Sequence, residues 1–127
     1  MQAVTIYRVS YTFMGKQKDH LCTSPDQADR TAGFYAHLKP TITQEPGGLF
    51  EVGDLVEVEL HRGGVEDDDG ITTGGSWIGP VTGLVDKVFH NNATLVEPST
   101  KRLLQVISRI AGEVGYPYRN ARLASKG

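Results

Sequence analysis

Ser99-Thr-Lys-Arg-Leu-Leu-Gln-Val-Ile-Ser-Arg-Ile-Ala-Gly-Glu-Val-Gly115 is the stretch whose reading decides the fold. Its apolar residues Leu103, Leu104, Ile107, Ile110, Ala111 and Val114 recur at helical spacing, with Ser99 or Thr100 as the cap in front and Gly115 as the stop behind. Strand alternation fits the run less well, so the spacing predicts a helix. With that helix near the end of the chain, the elements upstream complete an α+β domain.

Those elements follow from local patterns. Thr5, Tyr7, Val9, Tyr11 and Phe13 alternate with Ile6, Arg8, Ser10 and Thr12, the period of a half-buried strand. Met14-Gly15-Lys16 turns the chain, and Gln17 to Thr23 returns as the second strand of a hairpin anchored by Leu21. Ser24-Pro25-Asp26-Gln27 opens a first helix: Ser24 caps it, Pro25 suits its first position and Gln27 completes a capping box. That helix is expected to run to about Leu38, burying Ala28, Thr31, Ala32, Tyr35 and Leu38, and to close at Lys39-Pro40. A short strand over Thr41 to Thr43 precedes a turn at Glu45-Pro-Gly-Gly48.

In Asp54 to His61, Val56, Val58 and Leu60 face inward while Leu55, Glu57, Glu59 and His61 face out, as in an antiparallel strand with one wet face. A long loop, Arg62-Gly-Gly-Val-Glu-Asp-Asp-Asp-Gly-Ile-Thr-Thr-Gly-Gly-Ser76, leads to the sole tryptophan, Trp77. Trp77 to Phe89 is a strand expected to bend near Gly79-Pro80 and Gly83, and Ala93 to Glu97 returns after an Asn91-Asn92 turn. The expected fold is therefore a single α+β domain over residues 1–127. Its antiparallel sheet, a hairpin plus a three-stranded meander and partly barrel-like, packs with two helices, and residues 116–127 form a basic extended C-terminal tail.

Composition sets limits on function. The chain has 127 residues, 39% of them hydrophobic and 22% charged, which is the balance of an ordinary globular domain, while 15 glycines call for many turns. Cys22 is the single cysteine, so no intrachain disulfide forms and a cytoplasmic location is the expectation. No signal peptide or apolar run of membrane-spanning length is seen, so no membrane partner is expected. The net charge of −2 hides two opposed blocks. Glu45, Glu51, Asp54, Glu57, Glu59, Glu66, Asp67, Asp68 and Asp69 face one base, Arg62, for a local charge of −8, whereas Lys101, Arg102, Arg109, Arg119, Arg122 and Lys126 face Glu113 alone, for +5. Such asymmetry favours docking of the tail on the acidic region of the same or a neighbouring subunit.

Val52-Gly53-Asp54-Leu55-Val56-Glu57-Val58 followed by Trp77-Ile78-Gly79-Pro80-Val81-Thr82-Gly83-Leu84-Val85 resembles the opening of SH3-like small barrels of the Tudor and KOW kind. The resemblance covers residues 50–98, less than half of the chain, and the helix-forming run at the end departs from the family pattern. It implies recognition of a peptide or a nucleic acid through an aromatic groove.

Chemical motifs are sparse. Asp67, Asp69 and Gly70 match three positions of an EF-hand loop, but Val65 and Ser76 occupy its first and last positions, so no metal is expected. Cys22 and His20 lie two apart on a strand without a third orienting group, and His37, His61 and His90 are scattered. Gly63-Gly64 and Gly74-Gly75 lack the Lys-Ser/Thr ending of a phosphate loop. No cofactor and no catalysis are expected. The reading is a non-enzymatic protein-interaction or assembly protein, homo-oligomeric, of the kind found as phage or mobile-element accessory proteins. Its binding residues are Trp77, Glu66, Asp67, Asp68 and Asp69 on the loop, with Tyr116, Tyr118, Arg119 and Arg122 in the tail. Two other readings stay open. The aromatic and basic tail suits nucleic acid, against which stands the sequence pI of 6.0, and a small-ligand or catalytic pocket near Trp77, His61 and His90 is invisible to sequence.

Overall fold

A computed structural model describes residues 1–125. The described chain divides into two compact units, one of residues 2–49 and one of residues 50–125 together with Met1. In the first, strands β1 (Gln2–Phe13), β2 (Lys16–Cys22) and β3 (Thr41–Leu49) form an antiparallel sheet in the order β2-β1-β3, carrying helix α1 (Pro25–Phe34). In the second, β4 (Leu55–Glu66), β5 (Thr72–Phe89), β6 (Asn92–Val96), β7 (Leu103–Ser108) and β8 (Tyr118–Ser125) form an antiparallel sheet in the order β7-β6-β5-β4-β8. The fold is mostly β, which corrects the expected α+β domain with a single sheet and two helices. Among the described residues, no helix is long and apolar enough to cross a membrane.

Local chemistry explains the first unit. Met14 and Gly15 both take positive φ, 51° and 78°, the geometry of the tight turn that matches the twist of a hairpin. Ser24 Oγ accepts the Gln27 N–H at 3.2 Å, and Gln27 Oε1 accepts the Thr23 N–H at 3.1 Å, so the first turn of α1 is capped in both directions. The helix ends at Phe34, and a 3-10 turn over Ala36–Leu38 finishes the segment at Lys39 in the left-handed region. Ala28 and Ala32 pack on Tyr7, Val9 and Cys22, a small core in which the thiol lies 3.7 Å from Thr31 Oγ1. Residues 45–48, expected as a turn, belong instead to β3. Pro46 is tolerated because β3 is an edge strand, and Gly47 lacks the side chain that would collide with Ile6.

In the second unit, Val56, Val58 and Leu60 of β4 are buried among Phe50, Val85, Leu95 and Ile107. The turn into β4 is held by Asp54, whose carboxylate accepts the Glu51 N–H at 2.9 Å and pairs with the Met1 ammonium at 3.1 Å. The β4–β5 register shifts between Val58 and Leu60, opposite the cis Gly79-Pro80 bond, where the glycines and proline predict a bend. The segment expected as the second helix is β7. Val106 and Ile107 are β-branched, and Ala93, Thr94 and Leu95 of β6 face Ile107, Val106 and Gln105 in a continuous ladder. A register shift at Leu95/Val96 displaces Leu103 and Leu104 from strict alternation, leaving a spacing that mimics a helix. Ser99 and Thr100 bind locally in the β6–β7 turn, to the Glu97 carboxylate and the Arg102 N–H.

The sheet curls on itself, and side chains close the outer edge of β7. Arg62 of β4 donates to the Leu104 carbonyl at 2.7 Å, Gln105 to the Val106 carbonyl at 3.3 Å, and the Tyr118 hydroxyl accepts the Ser108 N–H at 2.9 Å. These bonds answer the aggregation hazard of a charge-free edge strand. Ile107→Ala is expected to cost about 2 to 5 kcal/mol through the cavity it leaves. Tyr118→Phe is expected to cost about 1 kcal/mol through the lost acceptor. Urea unfolding curves measure both, and a loss below about 1 kcal/mol at Ile107 would contradict a buried strand.

Candidate functional site

The outward face of β4 builds the site by strand register. Side chains two apart share a face, so Glu57, Glu59 and His61 stand in a row. On one side, β8 places Arg122 opposite Glu57 and Arg119 opposite Glu59; on the other, β5 places Trp77 opposite His61. Arg122 donates to Glu57 at 2.6 Å, and Arg119 pairs with Glu59 at 3.4 Å while its guanidinium lies 4.2 Å from the centre of the Trp77 ring. The His61 N–H donates to the Pro117 carbonyl at 2.8 Å, which brings Tyr116 alongside, its hydroxyl 3.1 Å from His61 Nδ1. Trp77 and Tyr116 both meet His61, at ring separations of 5.2 Å and 5.4 Å. The product is an aromatic and cationic cluster of a kind that contributes through stacking and cation–π attraction.

Beside it runs a groove of about 510 Å³ lined by Glu57, Glu59, Pro80, Asn120, Ala121 and Arg122. Neighbours tune Glu59 and Arg122 in its lining. The Asn120 amide, followed by the Arg119 guanidinium, holds Glu59 below the usual carboxylate range. A hydrogen bond to Glu57 raises the pKa of Arg122. Among the described residues, no group of three or more His, Cys, Asp or Glu is arranged to hold a metal.

The residues singled out from sequence separate into three places. Trp77, Tyr116 and Arg119 come together with His61, and Arg122 lies one pair further along β4. Tyr118 does not join the surface: it is 8% exposed, and burial raises its phenol pKa. Glu66, Asp67, Asp68 and Asp69 lie elsewhere, because the expected loop is a hairpin. β4 and β5 stay paired through Gly64 with Gly74, Val65 with Thr73 and Glu66 with Thr72. Asp67 Oδ1 then accepts the Asp69 and Ile71 N–H groups at 3.0 and 2.9 Å to close the turn. Glu66 is seven residues from Glu59 along β4, roughly 23 Å at strand rise, so the basic pair on β8 meets Glu57 and Glu59 rather than the acidic tip. His90 sits in the β5–β6 turn, away from the cluster, and Lys126 lies outside the described residues.

Of His61, Glu57, Glu59 and Asn120, the sequence points only to His61, as a residue near a ligand pocket, and the other three go unread as site residues. The alternation of β4 put the first three on one wet face, but the partner strands that make a site of them are distant in sequence. No protein-family model, curated protein or solved structure matches the chain.

The Glu59 shift fixes a pH dependence. A depressed folded pKa contributes stability that is present above the unfolded carboxylate pKa and is lost as pH falls through the folded value. In carbon-detected NMR titrations, Asn120→Ala is expected to move the Glu59 midpoint up toward the ordinary range. An unchanged midpoint would remove Asn120 as the main cause.

Proposed function

We propose that the protein acts by binding, as a homo-oligomeric interaction or assembly protein that engages its partner through the hairpin arm between β4 and β5. The supporting observation is the mismatch in ladder lengths. Pairing of β4 with β8 ends at Leu60 and Tyr118, whereas pairing with β5 continues to Glu66 and Thr72. Residues 62–71 are consequently exposed without a break. A two-stranded ribbon is marginal by itself, and Val65 and Ile71, 70% and 58% exposed, gain burial only against another surface.

The neck of the arm is glycine. Gly63, Gly74 and Gly75 take positive φ, and a Cβ at Gly75 would stand 2.6 Å from the Arg62 carbonyl oxygen and 2.7 Å from the His61 ring. The Trp77 cluster lies at the root of this neck and supplies a second apolar contact for a docked partner. The charge pairing favours protein over nucleic acid as the partner, since Arg119 and Arg122 are each engaged by a carboxylate of β4 and the tip of the arm is acidic. The small-barrel resemblance of residues 50–98 fits the same reading. β8 returns to pair with β4, giving the five-stranded order β7-β6-β5-β4-β8.

The test shortens the arm, joining Gly64 to Gly74 through an Asn-Gly turn. Sedimentation equilibrium is expected to show concentration-dependent association of the wild type that the shortened chain loses while keeping its melting temperature. Wild-type protein that stays monomeric at low salt and high concentration would overturn the proposal.

A further inference from the structure

The arm needs a receiving surface, and the first unit carries one of complementary character. The β1–β2 hairpin ends in Phe13 and Met14, 48% and 87% exposed. Phe13 is paired with Lys16 and Tyr11 with Lys18, so in this antiparallel ladder Tyr11, Phe13, Lys16 and Lys18 share one face. Among the described residues neither lysine forms an ion pair. The tip therefore combines two large exposed apolar side chains with two cations. The arm tip combines Val65 and Ile71 with Glu66, Asp67, Asp68 and Asp69, and among the described residues these acids form no ion pair either.

Resting on the assembly reading above, we infer that the β1–β2 tip of one copy receives the β4–β5 arm of another, Phe13 and Met14 packing on Val65 and Ile71 while Lys16 and Lys18 meet the carboxylates of the arm. The occupant is a second copy because the same chain carries both halves, matched in polarity and in charge sign. The contact joins two different surfaces, so it is head-to-tail and propagates into a ring or a filament according to its rotation. Its charged component is screened over about 10 Å at 0.1 M salt and about 3 Å at 1 M, so association weakens with salt while the apolar part persists.

Charge reversal tests the contact without touching either core. Lys16→Glu with Lys18→Glu makes a tip variant, and Glu66→Lys with Asp68→Lys and Asp69→Lys makes an arm variant that leaves Asp67 to close the turn. Each is expected to keep the wild-type circular dichroism and melting temperature and to weaken self-association at least about tenfold, since like charges then face each other. Mixing the two is expected to restore association, because each interface between one variant and the other again joins opposite charges. Self-association that the shortened arm abolishes but the tip variant leaves intact would overturn this inference and keep the assembly reading. A monomeric wild type would overturn both. Cosedimentation of wild type with anionic phospholipid vesicles, lost in the tip variant, would assign the tip to a lipid surface and overturn the inference. No cosedimentation supports it.

Discussion

The alternation of β4 is the constraint on which the second unit depends. Val56, Val58 and Leu60 point into the core, and Glu57, Glu59 and His61 point out, so a single strand writes the core and the site at once. A slip of one residue against either neighbour would bury two carboxylates and an imidazole while expelling three aliphatic side chains. Register is fixed from both sides, by β5 and by β8, and the groups that meet on the wet face follow from it. Arg119 reaches both Glu59 and Trp77 because the two neighbours of β4 bring them to adjacent rungs of the same ladder.

Much of this was legible in the sequence where the deciding interactions are local. The Met14-Gly15 turn, the Ser24 cap with Gln27, the two faces of β4 and the bend at Gly79-Pro80 are set by residues within a few positions of one another. Residues 103–108 read as a helix because their spacing suits one, and the choice was made by β6, whose residues Asn92 to Val96 supply the ladder. Residues 62–76 read as a loop because glycine and aspartate usually mark one. Here glycines at positive φ permit the ladder to continue and aspartates close its end.

The site was half legible for the same reason. Aromatic and basic side chains at residues 116–122 stood out by composition, and Trp77 stood out by rarity. That Tyr118 turns inward while Tyr116 stays out is a matter of which backbone pairs with β4. The charge blocks were visible as blocks, yet their pairing was not. Cations of the last strand meet the carboxylates of mid-β4 on the face they share, and the acids at the tip are left to solvent.

The glycine neck divides the hairpin into a part answerable to the fold and a part that is not. Below it, a change at His61 or Trp77 must satisfy neighbours on three strands. Beyond it, residues 65 to 71 touch the body through the ladder alone, so their side chains can be exchanged without disturbing the core. Mutation can therefore explore new tips at little cost in stability. An arm built this way can change its surface while the domain that carries it stays the same.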